Sequence, residues 1–164
     1  EQAILVGSRT SLSDDPRLDV RHVQGRSPLR VLLDRKGITP KGAKLFDGSL
    51  PTLLFTSANR PVVGAEQMVV ESGSDPIEAI LTELIRRSIR SLLIEGGAEL
   101  LMHFLRTGNW NEARVITSAS ALNGGTKAPR VPAPACRIAS SSTDSIAYHI
   151  NASHQTEPLA AWLW

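Results

Sequence analysis

Two stretches of this 164-residue chain combine residue types whose spacing could do chemistry. The first is Ser91-Leu-Leu-Ile-Glu95-Gly96-Gly97-Ala98-Glu99-Leu100, a buried apolar strand that ends in an acid and then in two glycines opening a helix. Glycines let a ligand approach the backbone, and the unpaired N–H groups and positive dipole end of a helix favour an anion such as pyrophosphate. A bare Gly-Gly is also compatible with a tight strand-to-helix turn that holds nothing. The second stretch is Gly7-Ser-Arg-Thr10-Ser-Leu-Ser-Asp14-Asp-Pro-Arg-Leu18-Asp-Val-Arg21, again following a buried strand. Thr10 offers a hydroxyl, Asp14 a carboxylate and Arg21 a planar fork suited to phosphate. Both corners fall at carboxyl ends of strands, where open α/β sheets bind ligands. The Rossmann Gly-x-Gly-x-x-Gly and the Walker Gly-Lys-Ser/Thr patterns are absent from the sequence.

The elements that must position these residues are legible in the apolar pattern. Runs rich in Val, Ile and Leu at Ala3–Val6, Leu29–Leu33, Thr52–Thr56, Met68–Val70, Leu92–Ile94 and Val115–Thr117 read as strands buried on both faces of a mostly parallel sheet. Asp75 as N-cap, Pro76 in the first position and Glu78 completing a capping box announce a helix, with Ile77, Ile80, Leu81, Leu84 and Ile85 as its buried stripe. A second helix is predicted from about Gly97 to Thr107, ended by Gly108. Three prolines between Ala128 and Pro134 break any regular element, and Arg137–Ala139 with Ile146–Ile150 flank a polar cluster as an antiparallel hairpin packed on the sheet edge. The expected fold class is therefore α/β, with helices flanking a mostly parallel sheet and a C-terminal antiparallel hairpin.

Composition narrows the function classes. Hydrophobic residues are 41% and charged residues 21%, a globular balance that excludes disorder and coiled coil. The sequence holds no apolar run near the roughly 20 residues that span a bilayer, so no membrane partner is expected. Ten Lys/Arg stand against six Asp/Glu in residues 1–60, and eight against ten thereafter. With 4% aromatic residues, this mild basic bias suits a small phosphorylated ligand and not a nucleic acid. A single cysteine, Cys136, indicates a reducing, cytoplasmic setting, and no metal site is indicated at any His or Cys spacing. His22, His103, His149 and His154 lack mutual metal-ligand spacing, Trp110 reads as core, and Lys36, Lys41 and Lys44 read as a solvated loop face.

The ordered set Gly7-Ser-x-Thr10, Asp14, Pro16, Leu18, Arg21, Leu29-Arg-Val-Leu-Leu-Asp34, Leu92-Leu-Ile-Glu-Gly-Gly97 and Ala121-Leu-Asn-Gly-Gly125 resembles the reductase domain of the bifunctional riboflavin-biosynthesis deaminase-reductase, in register from about Ala3 to Ile150. The resemblance implies a dihydrofolate reductase-like fold, NADPH as cofactor and a small phosphorylated pyrimidine as substrate. It implies NADPH contacts at Thr10, Asp14, Gly96, Gly97, Ala98, Glu99 and Leu100, and substrate contacts at Leu18, Arg21 and Glu95. No catalytic side chain is assigned, because the cofactor carries the chemistry of hydride transfer. Arg35 stands where the family usually has a small hydroxyl residue; its guanidinium could meet an adenosine 2′-phosphate or be solvated. The implied activity is NADPH-dependent reduction of 5-amino-6-(5-phosphoribosylamino)uracil to the ribitylamino product. The alternatives are a nucleotide-binding or structural remnant without turnover, or a superfamily reductase of another heterocycle. A homodimer is implied, with a deaminase domain fused or separate. The His-x-Glu and Pro-Cys-x-x-Cys zinc signature is absent from these residues. The domain is expected to span 1–152, with 153–164 a tail whose role as an added scar or a packed terminus stays open. Relative to the family, a strand, an Ala-x-Ser-x-Asp-Gly-like turn and a helix are missing before Glu1. The physiological protein is therefore expected to continue upstream, and the short chain alone to be aggregation-prone and inactive.

Overall fold

The computed structural model describes residues 1–121 and 124–154, which divide into two compact units, Glu1–Gly97 and the part from Ala98 onward. In the first unit, β1 (Ala3–Gly7), β2 (Leu29–Leu33), β3 (Thr52–Thr56), β4 (Glu66–Val69) and β5 (Leu92–Ile94) form one parallel sheet in the order β4-β3-β2-β1-β5. The three inner strands explain why their sequences run apolar without alternation. Ala3, Leu5, Val6, Val31, Leu32, Leu53 and Phe55 are buried on both faces. Each large side chain so buried contributes roughly 1.5–3 kcal/mol relative to exposure. At the two edges, Val69 of β4 and Leu93 of β5 reach solvent. On one face, Ile4, Val6, Leu32 and Leu54 pack with Leu18 and Ala43 from the loops and with Leu45 and Phe46 from a short 3-10 turn, Lys44–Phe46.

Two helices belong to this unit. α1 (Ser8–Asp14) follows β1 directly and ends on Asp15, whose left-handed backbone (φ 40°) lets its N–H reach Ser11 O. The apolar pattern gives no sign of α1, because among its seven residues Leu12 alone is a large apolar side chain, and it is exposed. α2 (Pro76–Arg86) is capped by the Asp75 carboxylate, which accepts from Ile77 N at 2.9 Å. Ile77, Ile80 and Leu84 are buried as the stripe requires, but Ile85 is 73% exposed. The place assigned to Ile85 in the buried stripe is therefore corrected. Glu83 is buried instead, held by Arg86 and Arg87.

The second unit holds α3 (Ala98–Thr107), closed by Gly108 at φ 75°, and a three-stranded antiparallel sheet. Its strands are β6 (Glu112–Thr117), β7 (Ala135–Ser141) and β8 (Asp144–Ile150), in the order β6-β8-β7. The reading of Val115–Thr117 as a doubly buried parallel strand is corrected. β6 pairs antiparallel with β8, and its burial alternates, with Ala113 and Val115 half-buried and Ile116 66% exposed. Such alternation marks a sheet with one wetter face. The predicted hairpin forms as β7 and β8 around Ser142, which is left-handed (φ 57°), and its partner strand is β6. Across the three strands Tyr148 lies between Arg114 and Arg137, whose guanidinium carbons stand 5.7 and 5.3 Å from the ring centre. Of the tail, Ala152–His154 form a short 3-10 turn, and the expectations for 155–164 fall outside the described residues.

Candidate functional site

β1 and β5 are hydrogen-bonded neighbours, with Leu5 beside Ile94 and Glu95 N donating to Leu5 O at 3.0 Å. Strand order changes direction here: β1 to β4 step outward on one side, and β5 returns to the other side of β1. At such a switch point the loops leaving two carboxyl ends part and open a crevice for ligands. The loop leaving β1 begins at Gly7, in extended conformation (φ −90°), and a Cβ built there meets nothing within 4 Å. Its backbone is therefore open to an approaching molecule. Thr10 and Asp14 sit one turn apart on the same side of α1. Asp14 is exposed and accepts from the Ser13 hydroxyl at 2.7 Å.

The loop leaving β5 meets this corner. A Cβ on Gly96 would stand 2.8 Å from Thr10 Oγ1 and 2.9 Å from its Cγ2, so the two glycine corners are in contact. Gly96 is thus required by the Thr10 side chain as well as by its backbone. Gly96 and Gly97 are both left-handed, at φ 77° and 76°, a pair that residues with a Cβ adopt only at a cost. Ala98, Glu99 and Leu100 follow as the first turn of α3 in the second unit. Glu95 is exposed at the end of β5. Arg35 is exposed just past β2 and follows Asp34, a buried carboxylate that accepts from Ile38 N (3.1 Å) and Thr39 N (2.7 Å) to shape the turn.

The segment after α1 carries Leu18 and Arg21. Asp15, Leu18 and His22 all have positive φ (40°, 51° and 68°), a concentration of left-handed backbone outside glycine. Leu18 is 8% exposed, its side chain committed to the core, so anything it presents to a ligand is main chain. Arg21 is 66% exposed and lies 3.4 Å from Asp19 Oδ1. Asp15 is tied to the loop after β2: its Oδ1 accepts from Lys44 N at 2.8 Å, and Oδ2 lies 3.3 Å from Lys44 Nζ. Those contacts hold its carboxyl below the usual range, the Lys44 N–H contributing most. Lys44 is therefore a fastening, not only part of a solvated face. The arrangement as a whole can cradle an anion at the glycine corners and offer an exposed guanidinium nearby in sequence.

Comparison with known proteins places this geometry. Residues 1–144 match the model of the RibD C-terminal domain. The chain belongs to that family. Riboflavin biosynthesis protein RibD of Chlamydia pneumoniae is 36% identical over an alignment of 148 residues that covers 79% of this chain and 38% of the relative. The 2,5-diamino-6-ribosylamino-4(3H)-pyrimidinone 5′-phosphate reductase of Aquifex aeolicus is 33% identical over an alignment of 122 residues that covers 69% of this chain and 54% of the relative. A crystal structure of the Thermotoga maritima diaminohydroxyphosphoribosylaminopyrimidine deaminase/5-amino-6-(5-phosphoribosylamino)uracil reductase superposes with a TM-score of 0.77 at 27% identity, covering 91% of this chain and 45% of that one. The chain spans about half or less of the length of these relatives.

For this RibD C-terminal domain, the mostly parallel sheet and the separate antiparallel sheet agree with the expected fold class. Of the motif Ala121–Gly125, positions 122 and 123 lie outside the described residues. Sequence reasoning passed over Arg30, although its signal was present. A lone arginine inside the apolar strand Leu29–Leu33 has to be buried with every donor satisfied, or the strand could not form. The structure places it at 0% exposure.

Proposed function

We propose that this domain is the reductase that converts 5-amino-6-(5-phosphoribosylamino)uracil to its ribitylamino product with NADPH. The observation that carries the reading is the contact between the Gly7 and Gly96 corners at the switch point of a parallel sheet. The residues present suit a dinucleotide: the Gly7 backbone is open, Thr10 and Asp14 offer a hydroxyl and a carboxylate, and Gly96 and Gly97 turn the chain without side chains. When bound, NADPH supplies the hydride that reduces the anomeric carbon of the sugar, while the ring oxygen gains a proton as the ribose opens. The protein's task is to hold two ligands in register and exclude water between them. Arg21 holds the sugar phosphate, Glu95 orients polar groups of the substrate, and the Leu18 main chain lines its path. Arg35 faces the adenosine 2′-phosphate and so distinguishes NADPH from NADH.

The family names support the same assignment: the Aquifex relative is called a reductase of a ribosylamino-pyrimidinone phosphate, and the Thermotoga protein a deaminase and uracil reductase. We also propose a homodimer working in a reducing cytoplasm, with the deaminated substrate delivered by a fused or separate deaminase. The deciding experiment is NADPH titration of the full-length protein, followed by its oxidation on adding the ribosylaminouracil phosphate. Saturable binding with stoichiometric oxidation is expected. Binding without oxidation would make this a nucleotide-binding module, and oxidation with a different heterocycle alone would reassign the substrate. Sedimentation at micromolar concentration tests the dimer.

A further inference from the structure

Arg30 of β2 has no exposed surface, and all five of its N–H groups are used. Nε donates to Thr52 Oγ1 at 2.8 Å, within the sheet. Nη1 donates to Arg17 O and to Lys44 O, both at 3.3 Å. Nη2 donates to Leu50 O at 2.7 Å and to Asp47 Oδ1 at 3.2 Å. One buried cation therefore joins three separate segments: the loop after α1, the 44–50 loop and strand β3. Asp47 is its counter-charge, its own carboxyl brought down to about 2 chiefly by the Ser49 hydroxyl and N–H and further by Arg30. The Arg17 carbonyl immediately precedes Leu18, the left-handed residue whose side chain is fixed in the core. A leucine in that conformation is strained and persists only where its surroundings hold it.

We infer that Arg30 is a positioning residue for substrate recognition. Its guanidinium fixes the Arg17 carbonyl, and so the strained course of residues 15–22 that presents the Leu18 main chain and the Arg21 guanidinium. The Asp15–Lys44 contacts tie the same loop to the 44–50 loop, which Arg30 also grips, so the three form one closed set of restraints. The glycines of the cofactor corner are shaped by other contacts, Gly7 by β1 and Gly96 by β5 and Thr10, and of the residues assigned to the cofactor only Asp14 adjoins the restrained loop. Arg30 thus acts on substrate affinity and not on NADPH affinity. This rests on the assignment of Leu18 and Arg21 to the substrate.

The test uses Arg30→Lys, Thr52→Val and Arg21→Met in the full-length protein. Lysine keeps the charge but cannot reach all five acceptors. Valine at position 52 keeps the shape and removes the Nε acceptor, together with the hydroxyl's own bonds to Leu45 O (3.0 Å) and Leu50 O (3.2 Å). Expected for Arg30→Lys is a rise in the substrate KM of about tenfold or more, with kcat little changed and the NADPH dissociation constant within about twofold. Thr52→Val should give a smaller rise in the same direction. Amide exchange at residues 15–22 should quicken in both, while exchange in β1 and β5 stays slow. If Arg30→Lys fails to fold, Thr52→Val and its exchange pattern decide alone. Proportional loss of NADPH and substrate binding, or an unchanged KM with Arg21→Met raising it, would overturn the inference. An unchanged KM in Arg21→Met would instead overturn the substrate assignment beneath it.

Discussion

Gly7 and Gly96 are both glycines at the same corner, yet they should fail in different ways when given a methyl group. A Cβ on Gly7 enters open space at an ordinary φ, so Gly7→Ala should melt like the parent while losing NADPH affinity by about tenfold, or about 1.4 kcal/mol. At Gly96 the added carbon strikes Thr10 and the backbone is left-handed. Gly96→Ala should therefore lose about 1–2 kcal/mol or more of stability, read by thermal melting, in addition to its effect on binding. Equal melting temperatures for the two variants would refute the distinction. Arg21→Met should raise the substrate KM and leave NADPH binding intact, since a charge-assisted bond to phosphate is worth about 1.5–3 kcal/mol. Sequence singled out Thr10 and the glycine pair as recognisable residue types just past strand ends, and Arg21 as a planar fork suited to phosphate in the loop after α1. It could not show that Leu18 has only its main chain to offer a ligand, because a leucine in a sequence reads as core and its φ of 51° leaves no mark on the pattern.

Among elements, β1, β2 and β3 were readable almost residue by residue, since burial on both faces forces unbroken apolar runs, whereas β5 was placed correctly but, as an edge strand with Leu93 exposed, is not doubly buried as expected. β6 misled for the opposite reason: Val115 and Ile116 are adjacent and apolar, but only one of them is turned inward. Ile85 misled in α2 because its spacing satisfies the stripe, but the buried face runs through Ile77, Ile80, Glu83 and Leu84 and leaves Ile85 at its far margin. Asp75→Ala should destabilise by about 0.5–2 kcal/mol through loss of the α2 cap. The end of the same helix carries a pH signature. Glu83 has its carboxyl lowered from 4.5 to about 2, first by the hydrogen bond from Arg86 and then by that from Arg87. Folding therefore favours the ionised form, so its contribution is complete above about pH 4.5 and fades as the pH falls towards 2. Glu83→Gln should flatten that part of the melting-temperature profile. A residual slope is expected from Asp47, which is shifted the same way.

Taken whole, the molecule should respond to NADPH as a ligand of the native state alone. At free NADPH of about 100 times its dissociation constant, the native state gains about 2.7 kcal/mol, a rise of several degrees in melting temperature. NADH at the same concentration should give less, and Arg35→Ser should narrow the difference between them. Identical shifts for the two dinucleotides would remove Arg35 from that role. The strand order has a further consequence in time. Ala3 of β1 pairs with Leu29 on one side and with Leu92 on the other, so its second neighbour emerges from the ribosome long after its first. Strands β1 to β4 can assemble while β5 is still being made, and the Gly7 and Gly96 corners come together only when β5 arrives. On the proposed reading, a nucleotide has nothing to grip in the earlier species. It should therefore slow unfolding of the finished domain while leaving the rate of refolding as it was.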